Sequence, residues 1–412
     1  MQLLHAVRGG VTFQAARDRV LGDLAEPDRR LAYELAAGVL RQQADLDRAL
    51  ALRTADPRVH DILRLGAYQL RALARVPPYA AVSTSVELAR ETAGEKAARY
   101  VNQVLRQIAG GSRERGAVPS HPDWLLARWQ KHFGAEETAG LVAWNDTKPL
   151  LTLQPVRWPI DQLRTRLTAA GFGVREAPYG AGIQVAAGGT APRSPVPSRL
   201  PGFREGAFIV QDAAHALVCR YAAIPRGALV YDGCAAPGGK AVMLERLGAR
   251  VVAGDGRRDR IGRLGETVRR AGVAIPIVVA DLLAAPFAAD ALDAVLVDAP
   301  CSATGTMARH PDARWRVTAR TIQRAARRQR ALLAAAACLV PRGGLLIYAT
   351  CSLEPEENSD IVNEFLDRHP QFARDATTAV PAALVTTHGD LQVLPQRHGT
   401  DGAYAARLVR SR

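Results

Sequence analysis

The sequence predicts an α/β protein in which an all-helical N-terminal domain and a small α+β module precede a Rossmann-like domain. Three observations lead to this fold class. The chain has 412 residues, and a single hydrophobic core stops growing beyond roughly 250 residues, so two or three domains are expected. Up to about residue 112, apolar side chains recur at threes and fours. From about residue 203, short apolar runs alternate with helical segments.

The composition limits the kind of partner. Lys and Arg number 54 against 40 Asp and Glu, which gives a formal net charge of +14. Only four of these cations are lysines. An arginine-rich basic chain favours a polyanionic partner, most simply nucleic acid, although codon bias alone could also enrich arginine.

The sequence also argues against export and membrane insertion. The first residues, MQLLHAVRGG, show no basic stretch followed by an apolar core, and no apolar run approaches the ~20 residues of a membrane span. The five cysteines form no CxxC pair, so neither a disulfide framework nor a metal site is expected. We therefore expect a cytoplasmic protein.

Residues 1–112 are predicted to form a compact helical bundle. Leu31, Leu35 and Val39 recur at four-residue spacing, and the apolar residues of 101–108 recur at threes and fours. No run alternates with period two, as a strand would. Gly110-Gly111-Ser112 and the arginines after it predict a linker.

Residues 113–202 are predicted to form a small α+β module that ends in a linker. The expected elements are a helix over Pro122–Phe133, a strand over Leu150–Val156, a helix over Ile160–Ala170 and a strand over Ile183–Ala187. Gly188–Gly202 follows with four prolines, which preclude a regular element.

Residues 203–412 are predicted to form a doubly wound, mostly parallel sheet. The expected strands are Leu229–Tyr231, Val251–Gly254, Ile277–Ala280, Ala294–Val297 and Leu345–Tyr348. Four acids follow these strands, namely Asp232, Asp255, Asp281 and Asp298. Ligands of such sheets bind at the carboxyl ends of the strands, so the acids should surround one cleft.

The segment from Asp232 to Lys240, DGCAAPGGK, is a glycine-rich turn between a predicted strand and a predicted helix. Such a turn lets a ligand approach the backbone closely. A phosphate-binding P-loop is disfavoured, because Cys234 and Ala241 stand where that motif needs glycine and a hydroxyl residue. The dinucleotide motif GxGxxG is also absent from this turn.

The acids narrow the class of ligand. Asp255 ends the second strand, where a carboxylate can accept both hydroxyls of a ribose. Asp281 ends the third strand, where it could meet an adenine amino group. Taken singly, each acid is more often a helix cap or a solvated turn residue. A ribose site and an adenine site without a phosphate motif together suggest S-adenosylmethionine.

The motifs DAPCS and ATCS place Cys301 and Cys351 directly after two strands that should be adjacent. Both sulfurs can then reach one cleft, although fifty residues separate them in sequence. Cys219 and Cys338 are predicted instead to be buried apolar residues on helices.

Two thiols suit methylation of carbon 5 of cytosine. Carbon 5 is a poor nucleophile, and a thiolate that adds to carbon 6 activates it; the adduct must later lose the carbon-5 proton to release the enzyme. A cysteine is only a few per cent thiolate at neutral pH, so Lys240 and the helix start beside it are candidates for promoting ionisation. Asp298 could bind the pyrimidine. These residues alone leave open which thiol attacks.

The segment 309–330 is strongly basic, with eight arginines against a single acid, Asp312. One interpretation is a solvated helix face. The other is contact with RNA phosphates near the target base, because the segment directly follows the Cys301 loop. The candidate RNA-binding residues are Arg309, Arg314, Arg316 and Arg320. His310 and Trp315 are weaker candidates for stacking on or orienting a base.

Several motifs resemble those of the Sun/Nop family of RNA 5-methylcytosine methyltransferases. They are DGCAAPGGK, DAPCSATGTMARHPD followed by RW, YATCSLEPEEN and HGTDGAYAARL. The helical region with LAYELAAGVLR and VNQVLRQI is similar to the RNA-binding NusB fold. Together they cover nearly the whole chain and resemble the branch of the family that acts on bacterial small-subunit (16S) ribosomal RNA.

The resemblance implies roles for individual residues. Cys351 would be the nucleophile, and Cys301 would assist release of the methylated product. The residues that would contact S-adenosylmethionine or the cytosine are Cys234, Ala235, Ala236, Pro237, Gly238, Gly239, Lys240, Asp255, Asp281 and Asp298. Ala241 departs from the family pattern, which usually has a hydroxyl residue at that place.

Two other functions remain open at this point. A DNA cytosine methyltransferase would use Cys301 as its nucleophile, but the helical bundle and Cys351 count against it. A non-catalytic RNA-binding assembly or transcription factor need not keep the thiols, acids and glycines intact. The expected partner is small-subunit ribosomal RNA, and no membrane, metal or obligate protein partner is inferred.

Overall fold

The structure is a computed structural model that describes residues 1–51, 54–111, 120–188 and 195–411. It contains two compact units. The first comprises Met1–Lys148 and Met307–Arg316, and the second comprises Pro149–Thr306 and Val317–Arg412. Most of the predicted linker after Gly111, and Pro192 in the proline-rich stretch, lie outside the described residues. The domain boundaries at 112 and 202 stay predictions.

The elements are numbered along the chain. The helices are α1 (Gln2–Arg8), α2 (Phe13–Val20), α3 (Glu26–Leu50), α4 (Pro57–Ala72), α5 (Pro78–Ala93), α6 (Glu95–Ala109), α7 (Asp123–Phe133), α8 (Ala135–Asn145), α9 (Ile160–Ala169), α10 (Ala213–Ala222), α11 (Gly239–Arg246), α12 (Arg258–Ala271), α13 (Ala313–Arg316), α14 (Ala319–Ala337), α15 (Ser359–Arg368) and α16 (Pro395–His398). The strands are β1 (Leu151–Pro155), β2 (Gly173–Glu176), β3 (Ile183–Ala186), β4 (Phe208–Val210), β5 (Leu229–Asp232), β6 (Arg250–Gly254), β7 (Ile277–Val278), β8 (Ala294–Asp298), β9 (Leu345–Thr350), β10 (Phe372–Arg374), β11 (Leu391–Val393) and β12 (Ala403–Arg410).

The first unit is built from helices, as the apolar spacing predicts. Ile62 and Leu63 of α4 pack with Val101 and Leu105 of α6, and all four side chains are fully buried. Burying a side chain of this size contributes roughly 1.5–3 kcal/mol relative to leaving it exposed. Gly66 permits this close approach, because a Cβ there would lie 2.4 Å from the side chain of Leu105. An alanine at residue 66 would therefore force α4 and α6 apart.

The second unit contains a small antiparallel sheet with the strand order β2-β3-β1-β4. Leu163 and Leu167 of α9 pack on it beside Leu153 and Ile183, and all four are fully buried. Strands β1 and β3 lie where the alternating pattern predicts them. The prediction missed β2, whose residues are mostly exposed, and β4, which has three residues. Because β4 begins at Phe208, this sheet extends beyond the predicted boundary at residue 202.

The larger sheet of the second unit has the order β10-β12-β9-β8-β5-β6-β7, with β11 paired to β12. Strands β5 to β9 are parallel to one another, which confirms the predicted Rossmann-like sheet. Strand β12 is antiparallel to β9, and β10 and β11 are antiparallel to β12. The sequence analysis did not predict these three C-terminal strands.

Helices cover both faces of this sheet. Leu296 of β8 belongs to the core formed with α10 and α11, whereas Val295 and Val297 belong to the core formed with α14 and α15. A sheet buried on both faces explains why its strands are continuous apolar runs. The carboxyl ends of β5, β6, β8 and β9 therefore meet at one edge. Within the described parts of the chain, no helix is both long and apolar enough to cross a bilayer.

Candidate active site

The glycine-rich turn leads from β5, which ends at Asp232, into α11, which begins at Gly239. Gly238 has a φ of +105°, a left-handed conformation that glycine adopts without the steric cost of a Cβ. A Cβ on Gly239 would lie 3.2 Å from the side-chain amide of Gln211. The turn therefore packs closely on its neighbours and brings the first peptide N–H groups of α11 to the carboxyl end of β5, where the start of a helix can bind a ligand.

Lys240, Asp298 and Asp232 form a polar cluster beside this turn, in which Lys240 and Asp232 are buried and Asp298 is half-buried. Nζ of Lys240 lies 2.6 Å from Oδ2 of Asp298. Burial lowers the pKa of Lys240, but the charge and hydrogen bond of Asp298 outweigh burial, so the pKa of Lys240 is raised. Burial and then the charge of Asp298 raise the pKa of Asp232 to about 7.

The cluster has more carboxyl groups than cations. Oδ2 of Asp232 is buried and has no hydrogen-bond partner among the described residues. Buried polar atoms in native proteins nearly always form a hydrogen bond, so a buried oxygen without one indicates a missing partner. A cationic donor from a ligand would satisfy Asp232 and balance its charge.

Asp232, Asp255 and Asp281 each cap the turn that follows their strand. One oxygen of each accepts the backbone N–H two residues further on, at 3.4, 2.8 and 3.1 Å respectively. Asp255 is buried and Asp281 is exposed. A Cβ on Gly256 would lie 3.2 Å from Cα of Asp281, so the turns after β6 and β7 adjoin. Each acid keeps a second oxygen, and a capping role is therefore compatible with ligand binding.

Cys301 and Cys351 meet beyond the ends of two neighbouring parallel strands. Asp298 of β8 pairs with Ala349 of β9, and the two Sγ atoms that follow are 3.3 Å apart. The hydrogen bond with Cys351, burial, and the charges of Cys351 and Glu357 raise the pKa of Cys301 well above its ordinary value. Cys301 is therefore a thiol at neutral pH, and at this distance its S–H can donate to the sulfur of Cys351.

Comparison with known proteins identifies the family of this chain. The family model of the 16S rRNA methyltransferase RsmB/F matches residues 223–409, that of the NusB family matches 1–110, and that of the RsmF/B-like ferredoxin-like domain matches 121–190. A probable ribosomal RNA small subunit methyltransferase B of Synechocystis sp. is 33% identical over 94% of this chain and 92% of its own length. The chain belongs to the RsmB/F family of 16S rRNA methyltransferases.

Other relatives agree with this RsmB/F assignment. The ribosomal RNA small subunit methyltransferase B of Pseudomonas putida is 33% identical over 99% of this chain and 96% of its own length. The crystal structure of PH0851 aligns with a TM-score of 0.82 at 24% identity, covering 99% of this chain and 98% of that one. The structure of NSun6 from Pyrococcus horikoshii with SFG aligns with a TM-score of 0.62 at 20% identity, covering 72% and 100%. These two structures support the fold, and the predicted family, enzyme class and NusB-like N-terminal domain are confirmed.

The other cysteines of this RsmB/F methyltransferase differ from one another. Cys219 is buried in the core beside α11, where burial raises its pKa to about 12, and a thiol of this kind is inert. Burial also raises the pKa of Cys234 in the glycine-rich turn. The prediction that Cys338 is buried is wrong, because it follows the last residue of α14 and is exposed.

The four arginines predicted to bind RNA fall into different environments. Arg309 and Arg316 are half-buried, and Arg320 is exposed at the start of α14. Arg314 is fully buried, and its Nη atoms donate to Asp146 at 2.8 Å and to three backbone carbonyls. This burial counts against a phosphate contact by Arg314. RNA binding by Arg309, Arg316 and Arg320 stays a prediction.

The weaker candidates of the same segment, His310 and Trp315, are both half-buried. Nε1 of Trp315 donates to the carbonyl of Leu40 at 2.7 Å, and its ring packs against the core of the first unit. Burial lowers the pKa of His310. Both side chains are half-buried, so a stacking or orienting role for His310 or Trp315 stays a prediction.

The sequence analysis missed a buried group beneath the two thiols, Glu357. It accepts hydrogen bonds from Ser302 and Ser352, the residues that follow Cys301 and Cys351. A signal was present in the sequence, because both thiol motifs continue with serine and the second ends in an acidic pair. Acidic pairs are usually solvated, so the pattern alone gave no reason to place this acid inside.

Proposed function

We propose that this chain methylates carbon 5 of a cytosine in small-subunit (16S) ribosomal RNA, with S-adenosylmethionine as cofactor, through a covalent cysteine–cytosine adduct. Membership of the RsmB/F family supports the reaction class and the ribosomal RNA substrate. The observation that carries the cytosine chemistry is the pair of sulfurs, 3.3 Å apart beyond two adjacent strand ends. A methyltransferase that acts on an already nucleophilic atom needs no such pair.

Cys351 is the nucleophile in this proposal. Its thiolate adds to carbon 6 of the cytosine, and carbon 5 gains the electron density to attack a methyl group. Loss of the carbon-5 proton to a base then restores the ring double bond and expels the Cys351 thiolate. Lys240 lies close enough to Cys351 for the charges of the two groups to interact.

Cys301 assists at both ends of this cycle. Because its pKa is raised, it remains a thiol and donates its S–H toward Cys351. A hydrogen bond to the thiolate stabilises Cys351 before attack, and it stabilises the same sulfur again as the leaving group. Removing Cys301 should therefore slow release of the adduct.

The cofactor turn and its acids suit S-adenosylmethionine. The groups that would hold it are the backbone of Cys234, Ala235, Ala236, Pro237, Gly238 and Gly239, with Lys240 and the carboxylates of Asp255, Asp281 and Asp298. When bound, S-adenosylmethionine supplies an electrophilic methyl group on a positively charged sulfur. The unpartnered oxygen of Asp232 and the surplus of carboxyl groups around Lys240 fit a ligand that carries a sulfonium and an ammonium. In this proposal Asp255, buried after β6, accepts the ribose hydroxyls.

The RNA is held, in this proposal, by Arg309, Arg316 and Arg320 and by the NusB-like helices of the first unit. Basic side chains bind the phosphate backbone without reading sequence. The proposed site of action is the cytoplasm, where bacterial ribosomal RNA resides.

The deciding experiment uses two thiol variants and a matched control. Cys351→Ala should abolish methyl transfer, and Cys301→Ala should accumulate a protein–RNA complex that survives denaturation. Cys338→Ala removes an exposed thiol and should behave as the parent protein. Each is incubated with S-adenosylmethionine and 16S ribosomal RNA, then examined by denaturing gel and by bisulfite sequencing. An adduct on Cys351→Ala would reverse the roles, and its absence from Cys301→Ala would contradict the release role.

A further inference from the structure

Glu357 is a buried carboxyl group that joins three separate segments of the second unit. Its relative exposure is 0%. One oxygen, Oε1, accepts the backbone N–H of Ser302 at 2.9 Å and the side-chain amide of Gln329 at 3.2 Å. The other, Oε2, accepts the hydroxyls of Ser302 and Ser352. Four donors therefore converge on one carboxyl group.

These donors come from the residues next to the proposed reactive thiols. Ser302 follows Cys301, and Ser352 follows Cys351. The two serine hydroxyls also lie 3.1 Å from each other. Gln329 of α14 donates a second hydrogen bond, at 3.0 Å, to the carbonyl of Pro300. Both thiol loops are thus tied to the same carboxyl group within one residue of the sulfur.

The residue after Glu357 fixes the other side of the Cys351 loop. Asn358 accepts a hydrogen bond from the hydroxyl of Thr350 at 2.5 Å and donates one to the carbonyl of Ser352 at 2.8 Å. Thr350 and Ser352 are the two neighbours of Cys351 in the chain. Glu357 and Asn358 together therefore leave the Cys351 backbone little freedom to move.

We infer that Glu357 is a positioning residue that sets the distance between the two thiols, by holding Ser302 and Ser352 and through them Cys301 and Cys351. This inference rests on the proposed function for its catalytic meaning. Glu357 itself lies behind the sulfurs, bound to protein donors, and does not touch the base. Its role is to keep the S–H of Cys301 within hydrogen-bonding reach of Cys351.

A glutamine cannot replace this carboxylate at equal cost. All four partners are donors, and an ionised carboxylate accepts from all of them, whereas an amide has one oxygen and an N–H₂ that would face donors. At least one buried donor would then lose its acceptor, which costs about 1–3 kcal/mol. The substitution would also remove a negative charge that contributes to the raised pKa of Cys301.

The test compares Glu357→Gln with Asp367→Asn, which removes the same charge from an exposed position on α15. In the full chain, Glu357→Gln should lower kcat for RNA methylation on the order of 10²-fold, because a small displacement of a reacting group has this effect. The KM for RNA should change less than about twofold, since no RNA contact is removed. Asp367→Asn should match the parent protein in both. A rise in KM with kcat unchanged would overturn the inference.

A second measurement does not depend on RNA or on methyl transfer. In a Cys351→Ala background, the rate at which iodoacetamide alkylates Cys301 is followed by mass spectrometry across a pH series, with and without Glu357→Gln. Removing the neighbouring negative charge should move the alkylation midpoint to lower pH. An unchanged midpoint would mean that the charge of Glu357 does not act on Cys301, and it would contradict the placement on which the inference rests. If the midpoint moves while Cys351→Ala still methylates RNA, the proposed function fails and the position of Glu357 beside Cys301 stands.

Should Glu357→Gln fail to fold, Ser302→Ala carries the same test. It removes the hydroxyl that links Glu357 to the Cys301 loop, and it leaves the Ser302 backbone N–H and the charge of Glu357 in place. We expect a smaller fall in kcat, about tenfold, and an alkylation midpoint close to that of the parent. Parent-like kcat for Ser302→Ala would contradict the inference.

Discussion

Arg314 in the first unit and Lys240 in the second are both buried cations, but the polar clusters around them differ in charge balance. Each pairs with an aspartate, Arg314 with Asp146 at 2.8 Å and Lys240 with Asp298 at 2.6 Å. The remaining acceptors of Arg314 are three backbone carbonyls, which carry no net charge. Lys240 instead has a second carboxyl group nearby, that of Asp232.

The pKa directions express this difference. Burial lowers the pKa of Arg314, because one half-exposed carboxylate and neutral carbonyls do not offset the loss of water. The pKa of Lys240 is raised, because the charge of Asp298 outweighs burial. A balanced cluster serves to hold chain segments together. A cluster with surplus carboxyl groups is suited to bind a positively charged ligand. The charge balance therefore distinguishes a cluster that supports the fold from one that can bind a ligand.

The largest expected effect tests the supporting role of Arg314. Arg314→Met should destabilise the first unit by about 3–5 kcal/mol, because Asp146 and three carbonyls lose their buried donor. Arg246→Met, which changes an exposed arginine at the end of α11, is the matched control and should stay within about 0.5 kcal/mol. Urea unfolding measures both. If the two variants unfold alike, the cluster around Arg314 does not support the fold and the comparison with Lys240 fails.

A pH-dependent effect tests the surplus charge around Lys240. The pKa of an aspartate is about 4 in an unfolded chain, and that of Asp232 is about 7 in the folded protein. Between these values the folded state binds more protons than the unfolded state, so the contribution of Asp232 to stability is present below about pH 4 and is lost as the pH rises to about 7.

In the Asp232→Asn variant the side chain at this position cannot ionise, so this fall in stability with rising pH should not occur. Relative to the parent protein, the variant should gain on the order of 4 kcal/mol in stability between about pH 4 and about pH 7, at about 1.4 kcal/mol per pKa unit. Urea unfolding of the second unit at several pH values measures the gain. A difference between variant and parent that does not change with pH would mean that Asp232 is already ionised and balanced by Lys240.

The sequence predicted the fold more completely than it predicted the site. The parallel strands β5 to β9 could be predicted because burial on both faces makes them uninterrupted apolar runs. The antiparallel strands β10 and β11 have three residues each. Three residues are too few to show the two-residue alternation by which a strand is recognised. Cys301 and Cys351 could be brought together from sequence, because strand order and the carboxyl edge of a parallel sheet fix where they emerge.

Three features of the site could not be read from the sequence. Arg314 and Arg320 occupy the same basic segment, yet one is buried and the other exposed, since the segment turns into the first unit at Met307–Arg316. The inward placement of Glu357 depends on serines fifty-five and five residues away in sequence. The pKa of Cys301 depends on its distance to Cys351. Each is a tertiary property, and no local pattern encodes it.

The smallest expected effect is on RNA affinity, and it concerns Arg320, the exposed counterpart of the buried Arg314. Helix α14 connects the parallel pair β8 and β9 and therefore runs antiparallel to them. Gln329 in the middle of α14 reaches the carbonyl of Pro300 beside Cys301, so the exposed Arg320, nearer the start of the helix, lies further out on the same carboxyl-end side of the sheet. A phosphate contact there should make Arg320→Gln bind 16S ribosomal RNA a few-fold more weakly at low salt and reduce the slope of log K against log salt by about one.

Arg246→Gln is the control for that measurement, because the end of α11 lies at the opposite edge of the sheet and the charge change is the same. Filter binding at several salt concentrations gives both slopes, and thermal unfolding should show neither variant shifted. Equal slopes for Arg320→Gln and Arg246→Gln would mean that the net charge of the chain, and not a contact at the carboxyl edge, accounts for the attraction to RNA. The exposure of Arg320 would then be no evidence that it binds RNA.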